Sequence, residues 1–261
     1  MGALDFFASH PVFTADEFHL AAENRERSRQ TSQNLLRYHV EKGRIASIRR
    51  GLYATPMGAT DPYLLASKLA SDAVVAYHAA LQFRGFAYSV WRRYPILIRG
   101  RESPLEFDGF EFLPVQASPR LRARDDLGGF ITAELHGGVK TTVRVTTLER
   151  TLVDVFDAPR FGGGWEEIWR SLDMVSFFDI EAVINYTLIL GVALTTARVG
   201  YYLERNRERL MVEESHLRRL EQHRPRQSRY FDSQQRGGAL DRRWNLYIPR
   251  EIADTTWEEF E

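Results

Sequence analysis

The chain has 261 residues, in which 35 Lys plus Arg are balanced by 35 Asp plus Glu, and it contains no cysteine. That length suits two domains of about 100 to 200 residues each, and a zero net charge, taken over the whole chain, argues against a nucleic-acid binder, whose domain is ordinarily strongly basic. The absence of cysteine excludes disulfides, thiolate catalysis and zinc sites with a sulfur ligand.

The amino-terminal MGALDFFASHP carries Asp5 and has neither a basic stretch nor a sustained apolar run, so no signal peptide is expected and the expected location is cytoplasmic. Thr14 followed by Ala15, Asp16 and Glu17 predicts a helix to about Ala22, with an N-cap and acids in its first turn. Ser28 as N-cap, Gly43 as a left-handed stop and an inward stripe of Leu35, Leu36 and Val40 predict a second helix. Ile45 to Ile48 then alternates as a strand, Arg49, Arg50 and Gly51 turn, and Leu52 and Tyr53 return. A short linker, Met57 to Thr60, closes this unit.

Asp61 with Pro62 caps a further helix, Val74 and Val75 suggest a strand, and Tyr77 to Phe83 a helix stopped by Gly85. Strands are expected at Pro95 to Arg99, at Leu105 to Val115 folded at Asp108-Gly109, and at Phe130 to Val145 folded at Gly137-Gly138. Thr146 with Glu149 predicts a capping box. Helices follow at Trp165 to Leu172, Ile180 to Leu190 and Thr196 to about Leu220, then an irregular stretch from Pro225 to Gly238 and a strand from Trp244 to Ile248. The uncharged run Ala182 to Ala197 is shorter than the about 20 residues of a membrane span and is interrupted by Asn185 and Gly191, so it reads as two buried helices. The expected class is α+β: an amino-terminal winged helix-turn-helix domain over 1–57 and a larger mixed α/β domain over 61–261, with antiparallel hairpins and a helical carboxy-terminal part.

Helix, helix, strand, basic turn, strand is the layout of a winged helix, in which one helix enters the major groove and the hairpin reaches the backbone beside it. With the apolar stripe inward, Arg27, Gln30, Thr31, Asn34 and Arg37 face outward. Ser28 and Arg29 stand at the helix amino end, where free N–H groups favour a phosphate, Arg44 flanks the helix stop, and Arg49 and Arg50 occupy the turn. Residues 25–53 hold eight basic and two acidic residues, a local charge of +6 against −6 for the remainder. DNA affinity is therefore expected mainly in the first 57 residues, with little phosphate contact from the rest. Losing Arg49 and Arg50 together should lower the salt slope of binding by about 2.

Several segments resemble, in order, the AbiEi family, antitoxins of type IV toxin-antitoxin pairs. They are FTADEFHLAAEN, SRQTSQNLLRYHVEKGRIASIRRGLYATP, DPYLLASKLASDAVVAYHAALQFRGF, VTTLERTLVDVFDAP with GGGWEEIWRSL, ARVGYYLE and RWNLYIP. The usual small-polar and proline lead-in to the Glu-Arg-Thr-Leu helix is here Thr146-Thr147. The resemblance implies a transcriptional regulator that binds double-stranded operator DNA, represses its own operon and counteracts a nucleotidyltransferase-like toxin in a phage-defence setting. DNA binding would fall on the recognition-helix residues and on Arg49 and Arg50, and antitoxic activity on the carboxy-terminal domain, without a direct toxin complex being assumed.

Other chemistries fit less well. Glu149, Arg150, Asp154 and Asp157 form an acidic cluster, but Arg150 and Asp154 are i,i+4 neighbours and read as a structural ion pair. Lys140 has no acid two residues before it, His78 lies in an apolar setting, and no histidine pairing suggests a metal. No catalytic residue, metal or cofactor is expected. A stand-alone regulator whose larger domain senses a small molecule, and an enzyme acting on nucleic acid or on the toxin, remain as alternatives. The mixed charge of Glu204 to Arg219 reads as a solvated helix and as the carboxy-terminal region best suited to partner contact.

Overall fold

A computed structural model describes residues 2–23, 28–55, 61–124, 129–134 and 142–254. In chain order its elements are α1 (Ala3–Ser9), β1 (Val12–Thr14), α2 (Ala15–Glu23), α3 (Arg29–Glu41), β2 (Ala46–Arg49), β3 (Leu52–Ala54), α4 (Pro62–Ser67), β4 (Val74–Val75), α5 (Tyr77–Phe83), β5 (Arg93–Ile98), β6 (Leu105–Phe107), β7 (Phe110–Gln116) and α6 (Pro119–Arg122). There follow β8 (Phe130–Glu134), β9 (Thr142–Thr146), α7 (Leu148–Asp157), α8 (Pro159–Gly162), α9 (Trp165–Asp173), α10 (Ile180–Leu190), α11 (Ala193–Arg205), α12 (Glu214–Glu221), β10 (Arg229–Tyr230), β11 (Ala239–Asp241), β12 (Leu246–Ile248) and α13 (Arg250–Asp254). The protein is α+β. No helix among the described residues is long and apolar enough to cross a membrane.

The chain forms two compact units, one of residues 1–75, 92–115 and 132–144, the other of 76–91, 116–131 and 145–261. The linker expected at 57–60 and the fold-back at Gly137-Gly138 lie outside the described residues.

The first unit opens with α1, β1, α2 and α3, followed by the β2–β3 hairpin. β1 and β2 flank β3, all antiparallel, with Phe13 opposite Tyr53 and Ser47 opposite the same tyrosine. Thr14 caps α2 in a box of reciprocal bonds: its Oγ1 accepts from the Glu17 amide at 3.2 Å, and Glu17 Oε2 accepts from the Thr14 amide at 2.8 Å. The core beneath is aromatic, with Phe6, Phe7, Phe13 and Phe18 joined by Leu36 and Ile45. Phe7 stacks on Phe13 at 5.4 Å and meets Phe6 edge-on at 6.1 Å. Apart from terminal residues of some strands, this unit also holds a six-stranded sheet in the order β6-β7-β5-β4-β9-β8. Its β6–β7 hairpin turns at Asp108 and Gly109, both with positive φ, as the Asp-Gly pair predicts.

The second unit is mostly helical. α7 packs against α5, α10 and α11, and Phe156, Trp165, Trp169, Tyr202 and Phe231 fill its aromatic centre. Three expectations need correction here. The α7 N-cap is Thr147, whose Oγ1 accepts from the Arg150 amide at 3.3 Å; Thr146 ends β9 instead, fully buried, its hydroxyl sharing a 2.7 Å bond with Thr151. The helix expected from Thr196 to Leu220 breaks into α11 and α12, because Leu210 and Val212 are buried in the intervening turn, where Met211 takes positive φ. The stretch expected to be irregular contributes β10, which runs parallel to β12, while β11 pairs with β12 antiparallel.

Candidate nucleic-acid interface

α3 is held at both ends by its own sequence. Ser28 Oγ accepts from the Thr31 amide at 3.2 Å and lies 2.9 Å from the Thr31 hydroxyl, so both side chains serve the cap. At the other end Gly43 takes φ 63°, and the Gly43 and Arg44 amides return to the Val40 and His39 carbonyls. That double return is a Schellman stop, which needs the left-handed residue that glycine supplies. Ser32, Leu36 and His39 form the buried line, with Leu35 and Val40 partly buried beside it. The inward stripe is therefore rotated from the expected one, because small Ser32 and ring-stacked His39 sit on the core side, His39 edge-on to Phe7 at 4.9 Å.

The opposite face carries Gln30, Thr31, Asn34 and Arg37, all exposed, and Arg29 stands exposed at the amino end of the helix. Gln30 Nε2 donates to Asn34 Oδ1 at 3.3 Å, one turn apart. Two amide side chains are thus held side by side on the face a duplex would meet. Arg29 donates to Asp16 at 2.9 Å, with both side chains largely in solvent. Lys42 and Arg44 each stand 5.9 Å from the exposed Tyr38 ring and have no acidic partner among the described residues. Arg27 lies outside the described residues.

The hairpin separates its two arginines. The register shifts between Ser47 and Arg49, so Arg49 ends β2 opposite Leu52 and Arg50 takes the turn. The Arg49 guanidinium donates to Glu102 at 3.0 Å and to the Leu69 carbonyl. Arg50 is exposed and has no partner among the described residues. Lys68 pairs with Glu17, whose carboxyl burial alone would push up; the Lys68 ammonium and the Thr14 amide outweigh burial and hold it below its ordinary value. Glu102, Lys68 and Leu69 bear directly on the hairpin and α2, and no local signal in the sequence ties them to either.

A polar cleft of about 1360 Å³ lies within the first unit, between the Arg29, Gln33 and Arg37 side of α3 and the Lys68 to Ser71 segment. Arg37 thus stands at the edge shared by the cleft and the outer face of the helix. Like Arg50, it has no partner among the described residues.

In the second unit the acidic residues considered for metal or nuclease chemistry are committed to packing. Arg150 Nε donates to Asp154 Oδ2 at 3.0 Å and the Tyr186 hydroxyl donates to Asp154 Oδ1 at 2.6 Å, all three groups buried. Glu149 accepts from the Asp179 amide at 3.4 Å. His78, fully buried and stacked on Trp91 at 4.2 Å, shares a 2.9 Å bond with Glu167. Glu167 also accepts from the amide and hydroxyl of Ser89 at 2.9 and 2.7 Å. Burial raises the Glu167 carboxyl, but His78 and Ser89 overcome it and bring it down to about 2. No group of three or more His, Asp or Glu among the described residues could hold a metal.

No protein-family profile matches the chain, and no curated protein matches it. Among solved structures, the crystal structure of the RV2827C protein from Mycobacterium tuberculosis is similar, with a TM-score of 0.56 at 19% identity, covering 90% of this chain and 85% of that one. At that identity the likeness is one of fold, and it extends over both compact units.

Proposed function

We propose that the chain is a duplex-DNA-binding transcriptional regulator and the antitoxin of a type IV toxin-antitoxin pair. Its operator would lie before its own operon, and its toxin would be a nucleotidyltransferase-like protein encoded beside it. The observation that carries the DNA-binding part is the outer face of α3: Gln30 and Asn34 joined at 3.3 Å, with the unpaired Arg37 on the same helix and Arg50 at the adjoining turn. Amide side chains read adenine edges in the major groove, and guanidinium groups neutralise phosphates. The antitoxin part rests on the ordered resemblance of six segments to the AbiEi family. A cytoplasmic location follows from the DNA partner, and neutralisation requires no direct complex with the toxin.

Binding of the protein to a duplex spanning the sequence upstream of its gene, measured by fluorescence anisotropy over a salt series, tests the first part. Arg37→Ala with Arg50→Ala should lower the salt slope by about 2, one unit for each lost phosphate contact. An unchanged slope overturns the assignment of this face. Co-expression with the neighbouring nucleotidyltransferase tests the second part: growth should be restored by the full chain, and failure to restore it leaves a regulator without antitoxic activity. The polar cleft beside α3 supports one other reading, a regulator whose DNA affinity responds to a small polar ligand. A metabolite that shifts operator affinity and loses its effect in Arg144→Ala, a lining residue of the cleft, would favour that reading.

A further inference from the structure

The charge of −6 outside residues 25–53 averages over a strongly basic end. Residues 218–250 hold nine arginines against three acids. Two of those acids close turns, Asp232 accepting from the Gln234 amide at 2.8 Å and Asp241 from the Trp244 amide at 2.9 Å. The third, Glu221, pairs with Arg224 and Arg243 at 2.6 and 3.3 Å. Arg243 also reaches Glu204 and Glu214 at 2.7 Å each. Arg226, Arg229, Arg236 and Arg242 are exposed and have no side-chain partner among the described residues.

In the chain these cations fall on or next to the strands of a small sheet with an aromatic face. Tyr230 of β10 stands in register with Tyr247 of β12, and Leu240 of β11 with the same Tyr247, so the three form one row across the sheet. The two tyrosine rings lie 5.3 Å apart at 31°. Tyr230 is 39% exposed and Leu240 42%, an open position for such side chains on a three-stranded sheet. The other face is anchored. Leu246, Trp244 and Phe231 are wholly buried, the Trp244 indole donates to Glu204 at 2.6 Å, and its ring lies so close to Gly200 that a Cβ there would come within 2.2 Å. A groove of about 530 Å³ lined by Arg218, Gln222, Arg226 and Asn245 borders β12 at Asn245.

A sheet anchored on one face, which shows an exposed tyrosine beside a half-exposed one and carries flanking arginines with no side-chain partner among the described residues, has the parts of a stacking platform. Unpaired bases lay their faces on aromatic side chains, and guanidinium groups follow the backbone. We infer that the β10-β12-β11 sheet binds single-stranded nucleic acid, with bases on Tyr230 and Tyr247 and phosphates on Arg226 and Arg242, which lie in the segments flanking β10 and β11. A duplex keeps its base faces stacked inside and has no use for the rings. An acidic protein segment would use the arginines but not the aromatic row. This surface lies apart in sequence and in structural unit from the α3 face and does not depend on the operator reading.

Fluorescein-labelled twelve-nucleotide uridine and thymidine oligonucleotides, titrated into the full chain, test the inference. Binding should weaken about tenfold or more in Tyr230→Ala, survive in Tyr230→Phe, and show a salt slope lower by about 1.4 in Arg226→Gln with Arg242→Gln, about 0.7 for each lost contact to a single strand. All of these variants should keep the wild-type melting temperature. Preference for uridine would assign the site to RNA, and equal binding to unpaired strands of either sugar; both support it. Full binding by Tyr230→Ala, or competition by polyglutamate equal to that of the oligonucleotide, overturns it, the latter in favour of an acidic protein partner. Loss of oligonucleotide binding only in Arg37→Ala with Arg50→Ala also overturns it, whereas loss of operator binding with oligonucleotide binding intact touches only the operator reading.

Discussion

Arginine plays opposite parts at two places in this molecule. Inside the second unit Arg150 is 1% exposed and Arg198 is 5% exposed. Arg150 is held by Asp154 and by the Gly129 carbonyl at 3.1 Å, and Arg198 by the Phe231 and Phe156 carbonyls at 2.7 and 2.8 Å. Burial lowers Arg198 to about 10, still far above neutrality, so it stays charged and acts as a crosslink between chain segments. On α3 and its hairpin, Arg37 and Arg50 stand in solvent with no partner among the described residues. What separates the two sets is not residue type but whether an oxygen reaches the guanidinium, from the next helical turn in Asp154 and from distant segments in Gly129, Phe156 and Phe231. Cations without such an oxygen are the ones left for an external anion.

The largest effect expected from this contrast is on stability. Asp154→Ala would leave the Arg150 guanidinium buried beside an unsatisfied Tyr186 hydroxyl, and breaking such a pair from one side costs about 3 to 5 kcal/mol. Urea denaturation checks this, and a loss below about 1 kcal/mol would mean that Arg150 finds water and is no crosslink.

Acid titration comes next. The Glu167 carboxyl is held down at about 2 in the folded chain, below its ordinary value of 4.5. The stability it contributes is therefore present above the ordinary value and is lost as pH falls from there toward 2. By the linkage of about 1.4 kcal/mol per unit this amounts to about 3 to 4 kcal/mol at most. The comparison of wild type with Glu167→Gln should show this loss only in wild type, since the amide does not titrate; parallel pH profiles for the two would remove the claim.

The smallest effect belongs to Arg49. Because Glu102 and the Leu69 carbonyl occupy its guanidinium, Arg49→Ala should leave the salt slope of duplex binding unchanged while Arg50→Ala lowers it by about 1. Their joint loss then costs about 1 rather than the about 2 expected from sequence. A slope that falls equally for both would show that Arg49 leaves Glu102 to reach DNA. The stability cost of Arg49→Ala, a partly exposed pair, should stay within about 1 kcal/mol.

Elements whose signals are local were legible from the chain alone. The Thr14 cap of α2, the Ser28 cap and Gly43 stop of α3, the bounds of α5 and α10, and the Asp108-Gly109 turn each depend on neighbours within a few residues. What escaped depends on partners far along the chain. α1 and β1 are fixed by the Phe6, Phe7 and Phe13 cluster and by pairing with β3, and three-residue strands carry too little periodicity to announce themselves. The shift of the α7 cap from Thr146 to Thr147 is a choice between adjacent threonines that only the end of β9 decides. On α3, composition named the outward residues, but which arginines are free depends on Asp16 and Glu102, one of them 53 residues from its partner. The arginines around β10 to β12 were hidden by the same averaging that made the whole chain look neutral.

The first unit is assembled from three separate stretches of chain, and Arg49 of the first is clasped by Glu102 of the second. On the ribosome the β2–β3 hairpin is made well before that carboxylate exists, so the nascent segment carries one more bare guanidinium than the finished protein. A fragment that ends before Lys68 would keep this immature surface for good. It would also release Glu17 from its lysine, adding a bare carboxylate beside α3. Such a fragment is a different electrostatic object from the head of the intact chain, with Arg49 added to the cations open to any phosphate. Its grip on DNA of arbitrary sequence would misstate that of the whole molecule. Completion of the chain takes one arginine out of circulation and leaves the hairpin with Arg50 alone; on the proposed operator reading, that shifts the balance from indiscriminate attraction toward contact through Gln30 and Asn34.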